Sequence, residues 1–544
     1  RMPDRSPAPR DKAGRTRFRV LVTDPVAEEG LEILRRTAGF EVDVRLKLAG
    51  PELKKALAAS DALVVRSETK VTADVMPDGG RLKVVGRAGV GVDNVDVPAA
   101  TRRGILVMNA PQGNTIAAAE HALALLMALM RNIPAAHASL KSGEWKRSKF
   151  VGHELYGKVL GVVGLGRIGG EVAKRARAFG MSVLGSDPLI TVERARDLGV
   201  ELIDLKALLK RADLISLHAP KTTETRHLIG AAELKLMKPG VRIVNCARGG
   251  LIDEAALADA IQRGQVAGAA LDVFETEPLP ATSPLLKLDQ VVVTPHLGAS
   301  TAEAQVNVSV VIAEQIRDYL VSKIVRNAVN APATSPEAMG VVGPYIALAE
   351  RMGRFLVQLT SGVPKRIIVE YRGEIAGRKF AGVTAAAVQG VLSVALQDRV
   401  NVVNALPLAK ERGIAVNEGT NTEPGEFSSL VRITIATATE TRYMDGTVIG
   451  KDEPHVVGVD GLHLDILPEG VMITFQNDDR PGIVGKVGTI LGTHHINIAG
   501  LHVCRPTPGQ RAFSIFNVDN PVSDQVAREL SRLAELANLR VVTV

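Results

Sequence analysis

The sequence predicts an α/β protein with two doubly wound parallel-sheet domains, the first discontinuous, and two smaller α+β domains after them. Three observations point there. Short β-branched runs alternate with helical-period stretches from residue 18 to about residue 295, the pattern of parallel strands joined by helical crossovers. A glycine-rich turn at residues 164–169 joins one of those strands directly to a helix. Residues 470–544 carry the shorter order β-α-β-β-α-β.

Length and composition agree. At about 100–200 residues per domain, 544 residues make roughly three to five domains. Apolar residues are 46% and charged residues 23%, which excludes a disordered or collagenous chain. Aromatics are only 3%, so stacking platforms for single-stranded nucleic acid are not expected. Two cysteines, Cys246 and Cys504, cannot build a disulfide framework or a cysteine-only zinc site. That fits a reducing cytoplasm, and no metal is expected. The net charge of +7 is unevenly placed. Residues 1–19 hold seven basic and two acidic groups, leaving only +2 on the rest of the chain. Residues 1–16 therefore read as a disordered leader, without the apolar stretch of a secretory signal. No run approaches the ~18 apolar residues of a membrane span; residues 122–130 are the longest conspicuous one. Neither nucleic acid nor membrane is an expected partner.

The elements follow in order. Residues 18–23 are a β-branched strand, polar helical-period sequence runs to about residue 40, and residues 41–45 are a second strand. Residues 62–66 and 83–86 are further buried strands ending at charged or glycine-rich turns. Residues 115–131 form a long helix whose wide apolar surface implies burial between domains or subunits. A second strand–helix series runs from residue 158 to about residue 295. Residues 301–320, with Val306, Val310, Ala313 and Ile316 at helical spacing, form a helix that returns to the first domain. The domains are then 17–112 with 297–328, 113–296, 332–467 and 470–544. Residues 327–337 read as a linker. In the last unit, residues 471–475, 512–518 and 539–544 are strands and residues 482–491 a helix.

The turn Gly164-Leu165-Gly166-Arg167-Ile168-Gly169 follows the strand at residues 159–163 at once. Gly164 permits the tight turn, Gly166 lets backbone approach a pyrophosphate, and Gly169 lets the helix pack on the strand. The helix amino terminus offers N–H groups and partial positive charge to phosphates. A second strand leads to Asp187, eighteen residues past Gly169. A carboxylate there binds both ribose hydroxyls and repels a 2′-phosphate, so NAD is favoured over NADP.

Three charged residues stand at turns beyond this site. Arg248 lies in Cys246-Ala247-Arg248-Gly249-Gly250, Glu277 in Phe274-Glu275-Thr276-Glu277-Pro278, and His296 in Pro295-His296-Leu297-Gly298. All three are expected at strand carboxyl ends, where a doubly wound sheet keeps its cleft. Oxidising a 2-hydroxy acid needs a cation for the carboxylate and a base for the hydroxyl proton. Arg248 supplies the first, His296 the second, and Glu277 holds His296 in one tautomer and favours its charged form.

These residues, with Asn245 and Thr294-Pro295-His296-Leu297-Gly298-Ala299, resemble the D-isomer-specific 2-hydroxyacid dehydrogenases. Val64-Val65-Arg66-Ser67-Glu68-Thr69-Lys70 and Gly86-Arg87-Ala88-Gly89-Val90-Gly91-Val92-Asp93-Asn94 are similar to the substrate-domain segments of the branch that acts on D-3-phosphoglycerate. The resemblance implies two Rossmann-like domains, a third domain of allosteric-substrate-binding type and a terminal ferredoxin-like ACT domain. It implies NAD as cofactor, contacted by Gly164, Gly166, Arg167, Ile168, Gly169, Asp187, Ala219, Cys246, Ala247, Arg248, Asp272, His296, Gly298 and Ala299. Cys246 then contributes position rather than thiol chemistry, and Val90 a backbone contact at most.

The implied substrate carries a phosphate and a carboxylate. Arg66, Ser67, Arg87 and Gly89, with Arg248 and His296, are its expected holders, and Lys70 is a further candidate cation. Trp145-Lys146-Arg147 is implied at a subunit contact lending charge to the neighbour's site, in a homotetramer. In the tail, Asp479, Pro481, Gly482 and Asn497 resemble an amino-acid site whose implied effector is L-serine, the end product of the biosynthetic route that this oxidation would begin. Asn477 departs from the aromatic residue of some serine-sensitive relatives. Arg432, Arg442 and Lys451 are candidates for a second substrate anion in the third domain. Two alternatives stand beside this reading: a relative acting on glyoxylate or hydroxypyruvate, and a corepressor-like NAD(H)-sensing binding protein on the same scaffold.

Overall fold

The computed structural model describes residues 17–332, 336–377, 381–396, 400–423, 425–450, 452–505 and 511–544. The predicted leader and Lys451 lie outside these residues.

The first sheet is parallel, in the spatial order Phe40–Val44, Phe18–Val22, Ala62–Val65, Val84–Arg87, Leu106–Asn109. Its strands are fully apolar where they are central, as Ala62–Val65 shows with four buried residues in a row. The chain order reverses between Phe18–Val22 and Ala62–Val65, so the carboxyl ends of these two strands flank a crevice. The helix Ala302–Ser322 returns from far along the chain and packs on this sheet, with Val308, Ile312 and Ile316 in its core. An added methyl at Gly30 or Gly86 would collide with that helix, at 2.7 Å from Ser309 O and Ile316 Cδ1. The small residues are what let it lie so close.

The second sheet is also parallel, in the order Val291–Val293, Val266–Leu271, Val241–Asn245, Leu214–Leu217, Val159–Val163, Ser182–Ser186, Glu201–Leu202. Its reversal falls between Val159–Val163 and Leu214–Leu217. The apolar helix Thr115–Met130 covers one face, burying Leu123, Leu126, Leu129 and Met130 against Leu160, Val162 and Val172. Among the described residues no single helix is long and apolar enough to cross a membrane.

The expected linker is only partly a linker. Residues 327–330 hydrogen-bond along the last strand of the first sheet: Val329 N donates to Val107 O at 2.8 Å, and Ala328 bridges Met108. The Asn330 side chain accepts from Val107 N and donates to Ile105 O. Its polar composition serves pairing with a distant backbone, not freedom.

A six-stranded mixed sheet follows, Ala415–Asn421, Arg366–Gly373, Ser429–Ala436, Thr441–Ile449, Glu453–Val459, Leu462–Ile466. The last sheet is antiparallel, Ile498–Cys504, Arg511–Val518, Val471–Asp478, Leu536–Thr543, with helices Ile483–Thr493 and Asp524–Ser531. The cores of these two units merge. Phe355 and Leu356 of helix Pro336–Leu359 pack in one cluster with Met472, Phe513, Ile515 and Val542 of the terminal sheet. The joined unit touches the first domain at residues 401–404. Val403 inserts into the first core and is 3% exposed. Asn401 Nδ2 donates to Gly104 O at 2.7 Å.

Candidate active site

The glycine turn sits at the reversal point of the second sheet. Gly164 has φ +91°, a conformation that favours glycine, and a Cβ there would meet His218 backbone at 2.7 Å on the neighbouring strand end. A Cβ on Gly169 would lie 1.9 Å from Gly164 O, so helix Arg167–Ala178 can start this close only with glycine. Gly166 meets nothing within 4 Å and carries no capping side chain. Open space thus lies at the helix amino terminus, where a pyrophosphate would need it. The adjoining cleft of about 730 Å³ is lined by Gly166, Arg167, Asp187, Ile190 and Thr115. These features fit a dinucleotide.

Asp187 does more than face the cleft. Its Oδ2 accepts from Leu165 N and its Oδ1 from Leu189 N, both at 2.8 Å. The carboxylate ties the glycine turn to its own strand end and keeps free lone pairs for ribose hydroxyls. Arg167 Nη1 donates to Pro111 O across the interdomain cleft. Ile168 packs in the core beside this turn, and Ala219 follows the strand that backs Gly164. Cys246 is half-buried, and burial, then the Asp272 charge, push its thiol up, so it stays a thiol. Ala247 N is held by Asn245 Oδ1.

His296 follows the strand Val291–Val293 and takes a left-handed backbone, φ +56°. Its N–H donates to Asp272 O at 2.8 Å. Its Nδ1 lies 2.8 Å from Glu277 Oε2, which leaves Nε2 as the nitrogen available to a substrate. The Glu277 hydrogen bond is the largest influence on His296 and raises its pKa above 6.5 against the opposing effect of burial. Burial would raise the Glu277 carboxyl, but the His296 bond and the Phe274 N–H outweigh it and leave it lowered. One expectation needs correction: Glu277 is not at a strand end. It lies six residues past Val266–Leu271, in a loop that curls back to His296.

Asp272 is fully buried. Its carboxylate accepts from Leu297 N and Gly298 N at 2.8 Å, from Thr294 Oγ1 at 2.5 Å and pairs with His121 Nε2 at 3.1 Å. It therefore shapes the His296–Gly298 turn from behind, with Gly298 buried and Ala299 half-buried beyond it. His121 does not stand out in the sequence, and Thr294 does so only as part of the family motif, since their partner Asp272 is 151 and 22 residues away.

Arg248 Nη1 donates to Ala247 O at 2.7 Å, and Nε pairs with Asp93 at 3.1 Å. Asp93 belongs to the turn Gly89–Gly91 onward, which also carries the space for both arginines. A Cβ on Gly91 would lie 2.2 Å from Arg248 Nη2, and one on Gly89 would lie 1.5 Å from Arg87 Nη1. Arg87 itself is half-buried, and its enclosed Nε has no hydrogen-bond partner. Burial first, then Arg248, push it down to about 10, which still leaves it a cation at neutral pH. Arg66 also bears electrostatically on Arg87. Ser67 and Lys70 are exposed on the neighbouring loop. The structure thus brings Arg66, Arg87, Arg248 and His296 to the carboxyl ends of the two sheets, where the domains face each other.

Other expected residues are placed elsewhere. Arg432 pairs bidentately with Asp445, its cross-strand neighbour, and Arg442 with Asp460 and Leu359 O, so neither is left for an anion. Trp145 is 77% exposed beside Lys146 and Arg147. In the terminal unit Gly482, φ +95°, opens the helix Ile483–Thr493 just after Pro481. Asp479 pairs with Arg505, and Asn497 Nδ2 donates to Asp519. Asn477 is buried and accepts from Ser514, so it faces the core rather than a ligand.

Fold and site define a dehydrogenase of the D-isomer-specific 2-hydroxyacid type with NAD as cofactor. The family model for the NAD binding domain of D-isomer specific 2-hydroxyacid dehydrogenase matches residues 123–298. Those for the D-3-phosphoglycerate dehydrogenase intervening domain and the ACT domain match residues 341–460 and 471–535. The chain is 45% identical to D-3-phosphoglycerate dehydrogenase of Methanocaldococcus jannaschii over 97% of its length and all of the relative's. It is 41% identical to that of Bacillus subtilis over 96% and 99%. It belongs to the D-3-phosphoglycerate dehydrogenase family. Among solved structures, a D-lactate dehydrogenase of Aquifex aeolicus with NAD and lactic acid superposes at TM-score 0.51 and 29% identity, covering 58% of this chain and all of that one.

Proposed function

We propose that the protein oxidises D-3-phosphoglycerate to 3-phosphohydroxypyruvate with NAD, the step that opens the phosphorylated route to L-serine. The observation that carries this reading is the half-buried Arg87, whose enclosed Nε has no hydrogen-bond partner, set beside Arg248 and Arg66. An enclosed guanidinium nitrogen left unpaired is costly, and an anion entering the cleft would satisfy it. One carboxylate needs one arginine; three converging cations suit a carboxylate and a phosphate together.

NAD, when bound, supplies the hydride acceptor; Gly166, Arg167, Ile168 and Asp187 would hold it. Arg248 holds the substrate carboxylate and orients C2. His296 Nε2 takes the C2 hydroxyl proton as C2 loses its hydride, and Glu277 stabilises the imidazolium that forms. Arg66, Ser67 and Arg87 hold the phosphate end. A panel of D-3-phosphoglycerate, D-glycerate, D-lactate and glyoxylate followed at the NADH band tests this. Preference for the phosphorylated acid is expected; preference for an unphosphorylated one would reject it.

The ACT unit serves as an effector domain for L-serine, held by N–H groups at Gly482 and by Asp479 and Asn497. No heat of binding and unchanged activity at millimolar serine would reject this. The exposed apolar residues Ile133, Leu140, Trp145, Val151 and Tyr156 support a subunit contact within a homotetramer.

A further inference from the structure

We infer that Asp24 and Asn94 form a positioning pair that fixes Arg66 in the cationic cleft and so sets the affinity for the substrate's phosphate end. The inference rests on the functional reading above. Asp24 follows the strand Phe18–Val22, and the loop 66–69 follows Ala62–Val65. These are the two strand ends that flank the reversal of the first sheet, where a ligand crevice opens.

Asp24 is 1% exposed and meets no bulk solvent. Its Oδ2 accepts from the backbone N–H groups of Arg66 at 2.7 Å, Glu68 at 3.1 Å and Thr69 at 3.2 Å. Its Oδ1 accepts from Thr69 N at 3.1 Å and from the Thr69 hydroxyl. No cation ion-pairs with it among the described residues; the loop's own N–H groups are its hydrogen-bond donors, and Arg87 feels its charge from farther off. A buried carboxylate in that state is stable only while every one of those donors points at it.

The loop's acceptors are fixed from the other side. Asn94 Nδ2 donates to Arg66 O at 2.8 Å and to Thr69 O at 2.7 Å. Asn94 follows Asp93, the partner of Arg248, and Gly91, whose missing Cβ makes room for Arg248. Backbone donors of the 66–69 loop are therefore tied to one strand end and its acceptors to the turn that seats the other two arginines. The guanidinium of Arg66 is the group left outside this clamp. Neither Asp24 nor Asn94 needs to touch substrate to do this.

The test is steady-state kinetics on the full-length protein. Asp24→Asn keeps shape but turns an N–H₂ toward donors. The expected result is a rise of roughly tenfold in KM for D-3-phosphoglycerate, the scale of a small misplacement of a binding group. The KM for NAD and kcat should stay within about twofold, against a tenfold effect where a binding group itself is displaced. In an Arg66→Ala background the same substitution should add nothing, because the group it positions is gone. Asn94→Ala should behave alike and covers the case in which Asp24→Asn folds poorly. An equal loss with and without Arg66, or a fall in kcat together with weaker NAD binding, would overturn the pair's role. If the wild type prefers an unphosphorylated acid, the functional reading fails by itself. The pair is then judged on that acid, and independence of Arg66 would overturn it there too.

Discussion

Replacing Glu277 by Gln removes a charge from a site that is otherwise isosteric. Glu277 Oε2 sits 2.8 Å from His296 Nδ1, and the two side chains are 38% and 51% exposed. A hydrogen bond to a charged partner contributes about 1.5–3 kcal/mol when sheltered, and half-exposure puts this pair near the lower end. That contribution appears in full only when His296 becomes imidazolium, as it does when it takes the hydroxyl proton. At tenfold per ~1.4 kcal/mol, kcat for oxidation should fall by about tenfold. The pH profile supplies a second readout with a definite sign. Glu277 raises the pKa of His296, and oxidation needs the neutral base, so wild-type oxidation rises with pH through that raised value. Without the carboxylate the rise should move to lower pH, even as the plateau drops. In the reverse direction, which needs the imidazolium, the decline with pH should also move down. Initial rates at the NADH band across pH 5–9 or so would show both limbs. A profile that moves to higher pH, or a plateau unchanged in Glu277→Gln, would refute the assigned pairing.

Other expectations follow from single contacts. Arg87→Ala should raise the KM for D-3-phosphoglycerate by about tenfold or more, the worth of a charged hydrogen bond, while leaving the KM for D-glycerate nearly unchanged; parallel substrate titrations decide it. Gly89→Ala should imitate that loss with NAD binding intact, because its Cβ would fall 1.5 Å from Arg87 Nη1. Since burial and Asp272 hold Cys246 as a thiol, iodoacetamide at pH 8 should leave activity unchanged, and rapid inactivation traced to Cys246 would contradict that. Val403→Ala should cost roughly 1–2 kcal/mol at the contact between the first domain and the carboxyl-terminal unit, seen as a lower Tm.

The sequence made legible whatever is decided locally. The turn at residues 164–169 could be read because glycine is demanded by contacts within a few residues and one neighbouring strand end. Arg248, Glu277 and His296 could be read from their motif, although the loop path that brings Glu277 back to His296 could not. Features set by distant pairing were hidden. The partners of Asp24 lie 42–45 residues away and that of His121 lies 151 away, so neither residue stood out. Arg432 looked like a free cation because only strand register reveals Asp445 directly opposite it. Residues 327–330 looked like linker because their hydrogen bonds go to a strand more than two hundred residues earlier.

One cleft unites a dinucleotide site, a general base and three arginines, the set that oxidation of a phosphorylated 2-hydroxy acid requires. The most direct measurement is NADH formation from D-3-phosphoglycerate by the wild type and by His296→Ala. Clear turnover by the wild type is expected, with a loss of about 10²–10⁴-fold in kcat in the variant and binding of NAD retained. No turnover of D-3-phosphoglycerate by the folded, NAD-binding wild type, or undiminished turnover by His296→Ala, would contradict it.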